Sequence, residues 1–152
     1  MIFKTRCKST SRNRTIFVLS NEPLVNTDLQ KLENNKKFIM KFVMEMVRNN
    51  GSEETVRKYS TNEDYIRGVL TFRKGFPDYT IFIEDITAEG DMVVIHGVIR
   101  GTHTGDFNGF PPSNKKIEVP IIGKYRIVNN MIVEAWPLAD QMKLLGQIGV
   151  IK

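Results

Sequence analysis

The chain has 152 residues, 41% hydrophobic and 26% charged, which suffices for one domain with a real core. A lone cysteine, Cys7, excludes an internal disulfide, two histidines are too few for a structural zinc site, and no apolar run reaches the ~18 residues of a membrane helix. The net charge of +5 comes from Lys4, Arg6, Lys8, Arg12 and Arg14, in a start without acidic residues; the neutral remainder excludes a nucleic-acid-binding face.

Residues 1–21 therefore read as a basic, disordered extension, and residues 22–152 as a single domain. A cytoplasmic location is expected. From Asn26, Leu29, Leu32, Ile39, Val43 and Val47 recur at three-and-four spacing, with Phe38, Phe42 and Met46 widening the stripe. That predicts a deeply packed helix capped by Thr27 or Asp28 and stopped at Asn49-Asn50-Gly51, where a left-handed turn is easy. Ser52-Glu-Glu-Thr restarts a short helix carrying Val56 and Tyr59. Asn62 or Asp64 then caps a third helix over residues 65–74, ended by Gly75-Phe-Pro-Asp.

After Tyr79 the period changes to two. Residues 79–86, 91–104, 115–128 and 131–136 predict four strands, and consecutive turns make an antiparallel meander the economical topology. Glu89-Gly90-Asp91 and Asn129-Asn130 are tight-turn signals. The middle pair is joined by the long 101–112 connection, whose glycines, prolines, His103, Phe107 and Phe110 mark a loop able to carry ligand contacts. Asp140 opens a last helix that runs to Ile148. Parity places Val93, Ile95, Gly97 and Ile99 on the face toward the helices, and His96 and Arg100 outside.

Several stretches at these positions resemble one family. They are Phe76-Pro-Asp, Glu89-Gly-Asp, Gly101-Thr-His-Thr-Gly-Asp-Phe, Gly109-Phe-Pro-Pro, Tyr125-Arg-Ile, Ile132-Val-Glu-Ala-Trp and Asp140-Gln-Met-Lys-Leu-Leu-Gly-Gln-Ile-Gly. In order and spacing they resemble the SnoaL-like polyketide cyclases of the nuclear-transport-factor-2-like superfamily. The resemblance implies an α+β cone: a curved antiparallel sheet wrapped around N-terminal helices, with a short C-terminal helix and an apolar pocket at one end. It also implies ring closure by aldol condensation or isomerisation without cofactor or metal. The same scaffold serves as a non-catalytic small-molecule-binding or dimerisation module. The chain departs from the family pattern at Asn62 (usually His), at Gly123 (usually polar) and at Ala135 and Pro137, which flank the tryptophan where relatives carry His and Asp.

Such chemistry needs a group that takes a proton alpha to a carbonyl and a donor for the enolate oxygen. Asp140 is the candidate acid/base, with a helix N-cap as its plainer role. His103 is the candidate donor or proton carrier, with a purely loop-shaping role as its plainer one. Tyr59, Asn62 and Tyr125 are candidate orienting donors, and Phe42, Met46, Phe107, Phe110 and Trp136 a candidate apolar lining. The expected partners are a small hydrophobic molecule and a second copy of the chain, paired through an outer sheet face that shows Val94, Val98 and Ile122.

Overall fold

The computed structural model describes the backbone of residues 4–10, 14–20 and 26–151, and side chains from Asp28 to Ile151. The chain divides into two compact units, residues 1–31 and 32–152. In the first, β1 (Lys4–Thr10) and β2 (Arg14–Ser20) pair as an antiparallel hairpin, in the segment where the sequence predicts a disordered extension.

Three helices follow: α1 (Asn26–Arg48), α2 (Glu53–Tyr59) and α3 (Glu63–Gly75). Their boundaries come from local chemistry. Asn50 and Gly51 take left-handed backbone at the end of α1. The Ser52 side chain accepts from the Thr55 N–H to open α2, and Asn62 Oδ1 accepts from the Tyr65 N–H at 2.8 Å to open α3. Of the two caps proposed for α3, Asn62 is the one used. The α2–α3 link is pinned to the sheet: Ser60 Oγ and the Thr61 N–H donate to the Ile132 carbonyl, and Asn62 Nδ2 to that of Val133.

The sheet comprises β3 (Thr80–Glu89), β4 (Met92–Thr102), β5 (Lys116–Val128) and β6 (Met131–Ala139), in sequential antiparallel order. Its turns are the predicted ones, with Gly90, Asn129 and Asn130 at positive φ. Bulges leave Glu84 and Val133 without a direct partner, and such insertions bend a sheet. The result is a curved, open sheet. β5 alternates strictly, with Ile117, Val119, Ile121, Gly123, Tyr125 and Ile127 buried and their neighbours outside.

The inner face closes on α1, which buries Ile39, Phe42, Val43 and Met46 against Val93, Ile95, Ile121, Tyr125 and Ile127. Each such side chain contributes roughly 1.5–3 kcal/mol on burial. Asn35, also buried, donates to the Gly90 carbonyl and so ties α1 to the β3–β4 turn. A second cluster gathers Phe76, Phe107, Ile117 and Val119 with Leu144 and Ile148 of α4 (Gln141–Ile148). There β5 runs beyond its pairing with β6, and Gln147 of α4 brackets the free backbone of Glu118 with two hydrogen bonds. The fold is the α+β cone expected from the sequence, down to the C-terminal helix.

Candidate functional site

The alternation of β5, the stripe of α1 and the last residue of α2 bring four of the predicted residues into the cone. Phe42, Met46, Tyr59 and Tyr125 all belong to the first core cluster. The Tyr59 ring lies 5.2 Å from that of Phe42 and 5.4 Å from that of Phe38, and its buried hydroxyl makes no hydrogen bond. Two further residues join them that the sequence analysis did not select. Tyr65, in the first turn of α3, meets the Tyr125 ring edge-on at 5.9 Å. Tyr79 precedes β3, and its hydroxyl lies beside Gly51 and the end of Met46. The signal for both was present: Tyr79 shares parity with Ile81 and Ile83, and Tyr65 lies one turn before Val69 on the stripe that faces the sheet.

All four tyrosines of the chain are thus interior, and burial holds each in its protonated form. Tyr59 and Tyr79 are pushed up to about 12, Tyr59 with a further contribution from the nearby Glu45 carboxylate. Tyr65 is raised well above the ordinary phenol value and Tyr125 above it. An unfolded chain releases these protons near pH ~10, where the folded one keeps them. Stability is therefore intact below that pH and falls as pH rises from about 10 toward 12. In an alkaline titration, phenolate absorbance should appear only together with loss of the helical circular-dichroism signal. Phenolate forming in a fully helical protein would contradict this.

The remaining predicted residues lie elsewhere. His103 is 1% exposed, but in the second cluster, stacked on Phe76 at 5.1 Å. Its Nδ1 accepts from the Ser113 N–H at 3.2 Å and lies 3.0 Å from Ser113 Oγ, while Nε2 has no partner. With Nδ1 accepting, Nε2 carries the proton. Phe107 fills the same cluster, and Phe110 is half-buried at the loop tip, exchanging two backbone hydrogen bonds with Phe107.

Asn62 spends its side chain on the α3 cap and the Val133 carbonyl. Asp140 is exposed and caps α4, accepting from the Lys143 N–H at 2.9 Å. Trp136 is not part of an interior lining: β6 parity turns it outward, where Lys124 Nζ sits 4.9 Å from its ring centre. A cleft of about 380 Å³ lies at the foot of β3–β5, lined by polar groups including Asp78, Arg100, Lys116, Glu118 and Gln147. None of the ten predicted site residues borders it. Among the described residues, no group of three His, Cys, Asp or Glu side chains is placed to hold a metal ion. No helix among them is long and apolar enough to cross a membrane.

The model of the SnoaL-like polyketide cyclase family matches residues 25–148. Among solved structures, AclR from Streptomyces galilaeus, a candidate hydroxylase, aligns with a TM-score of 0.69 at 22% identity, covering 80% of this chain and 99% of its own. A candidate SnoaL-like polyketide cyclase from Jannaschia sp. CCS1 aligns at 0.65 and 20% identity, covering 87% and 100%. A candidate polyketide cyclase from Acidithiobacillus ferrooxidans aligns at 0.64 and 26% identity, covering 75% and 93%. No curated protein sequence matches the chain significantly.

Proposed function

Because the chain belongs to the SnoaL-like polyketide cyclase family, we propose that it binds a small hydrophobic carbonyl compound between α1 and the inner sheet face, without acid–base turnover. One observation carries this reading. The candidate acid, Asp140, is in solvent and committed to the α4 cap, and no carboxylate is among the buried polar side chains described, which are Asn35, Thr55, Ser60 and His103. A ligand in the cone would meet apolar walls and neutral phenols, which can hold a carbonyl but cannot take its alpha proton near neutral pH, while the Glu45 carboxylate beside Tyr59 is paired with Lys58 Nζ at 2.7 Å. The protein would work in the cytoplasm and without a cofactor.

The test is a panel of aromatic and polyketide-like carbonyl compounds, followed by calorimetry and product analysis on the parent and on Asp140→Asn. Asparagine caps a helix as well as aspartate does, so the fold is preserved. Equal affinity for a hit in both proteins, with no product from either, is expected. A ring-closed product made by the parent and not by the variant would overturn the reading. Aldol-type cyclisation or isomerisation is the second reading, favoured by the unpartnered His103 Nε2, a buried donor of the kind an enolate oxygen needs.

We also propose that the outer sheet face pairs with a second copy. Phe82, Ile122, Trp136 and Leu138 stand exposed there, Leu138 at 69%, on strands whose pairing sets Leu138 beside Ile122 and Phe82 beside Val98. Exposed apolar side chains grouped on one face mark a protein contact. Light scattering should give the dimer mass for the parent and the monomer mass for Leu138→Glu. A monomeric parent at high concentration would end this proposal.

A further inference from the structure

We propose that the cleft at the foot of β3–β5 binds a small zwitterion of the α-amino-acid class, with Arg100 and Lys116 holding its carboxylate and Glu118 its ammonium group. At about 380 Å³ the cleft falls in the size range of small-molecule sites. Its floor is two rungs of the outer sheet face. Pairing sets Thr80 beside Arg100 and Arg100 beside Glu118, and the next rung sets Thr102 beside Lys116. Arg100 and Lys116 are therefore diagonal neighbours on one face, close enough for two long side chains to reach the same ligand group. At the edge of β5, the Gln147 amide is fixed on the Glu118 backbone and forms a wall. Leu138 and Trp136 pair with β5 further along, at Ile122 and Lys124, so the cleft is separate from that apolar group.

The groups left unspent decide the ligand. The Arg100 guanidinium is held in place by the protein itself: Nε donates to Glu118 Oε2 at 2.7 Å, and Cζ lies over the Phe82 ring, 4.9 Å from its centre. Among the described residues nothing accepts from its two terminal amino groups, which match the two oxygens of a carboxylate. Lys116 Nζ likewise has no carboxylate within ion-pair distance among those residues. The two acids of the cleft differ. Asp78 is spent, because its oxygens accept from the Thr102 N–H and Oγ1. Glu118 keeps Oε1 without a hydrogen bond among the described residues, ready to accept from a ligand's donor. Two cations and two carboxylates cancel. A dianion such as phosphate would leave uncompensated negative charge there, whereas a molecule carrying one charge of each sign matches the charges in place.

The experiment titrates four probes into the protein: L-alanine, propionate (the same molecule without the ammonium), ethylamine (without the carboxylate) and inorganic phosphate. Chemical shifts are read at the Gly101, Thr102 and Ile117 amides and at the Gln147 side-chain amide. Alanine should bind about threefold tighter than propionate, the worth of one ion pair open to water, and ethylamine and phosphate should bind more weakly than alanine. Arg100→Lys keeps the charge and loses the fork, so it should weaken alanine and propionate alike by about tenfold. Glu118→Gln can still accept from Arg100; it should erase the preference for alanine without weakening propionate. All three positions are exposed, and thermal melts of these variants should match the parent's. No shift at these amides with alanine, or an alanine affinity unchanged in Arg100→Lys, would overturn the proposal. Phosphate binding more tightly than alanine would overturn the zwitterion class.

Discussion

Replacing Phe76 by alanine should cost about 4 kcal/mol of stability. The ring is fully buried. It stacks on Phe72 at 4.7 Å, meets Phe107 edge-on at 5.2 Å and carries His103 on its face. Those contacts join the end of α3 to the 101–112 connection, so removal leaves a cavity that three aromatic partners cannot collapse into without moving backbone. Phe76→Leu retains most of the volume and should cost about 1 kcal/mol. Urea unfolding measures both. Hydrogen exchange should also quicken in the connection for the alanine variant, at His103 and Asn114, whose amides bond across its base. An alanine variant that unfolds at the parent's urea midpoint would show that the second cluster holds nothing.

The second large effect is expected at Gly105, where alanine should cost about 3 kcal/mol, roughly 10 °C in midpoint for a domain of this size. Here the loop backbone lies directly on the end of α3. The N–H groups of Thr104 and Gly105 both donate to the Gly75 carbonyl at 3.1 Å, satisfying an acceptor that the helix end leaves open. A Cβ on Gly105 would stand 1.9 Å from the Lys74 carbonyl oxygen, a backbone atom that cannot swing aside. Asp78 completes the fastening by accepting from the Thr102 N–H and Oγ1, each at 2.7 Å. Gly68→Ala is the opposite case on the same helix. Nothing lies within 4 Å of a Cβ there, and the exposed position gains helix propensity, so this change should stabilise by about 0.5–1 kcal/mol. Thermal melts of the two variants should move in opposite directions; a Gly105→Ala midpoint equal to the parent's would refute the close-contact argument.

The connection therefore has a different standing in space than in sequence. Its glycines, aromatics and His103 suggested a ligand-facing rim. In the fold, His103 and Phe107 turn into a dry cluster, and the backbone closes a helix end. Trp136 shows the same gap between residue type and placement. A tryptophan between Ala135 and Pro137 reads as pocket lining, yet the Val133 bulge resets parity along β6 and sends it outward beside Lys124. Tyr125 and Phe42 do lie inside, because β5 and α1 keep uninterrupted periods. Tyr65 and Tyr79 were legible by period but not by role, because a phenol at the start of an element looks structural until its hydroxyl is seen beside another.

Residue order alone determined the element types and their sequence from Asn26 onward, the turns at Gly90 and Asn129-Asn130, the caps at Ser52 and Asp140, and the family. All of these rest on interactions within a few residues or on repeats of fixed period, which the chain states directly. Tertiary structure decided which polar groups share a space: Tyr65 with Tyr125, His103 with Phe76, and Asp140 with nothing but the first turn of α4. The reason is the reach of the interactions. A contact between side chains sixty residues apart depends on two bulges and the bend of the sheet, and no local pattern records their sum.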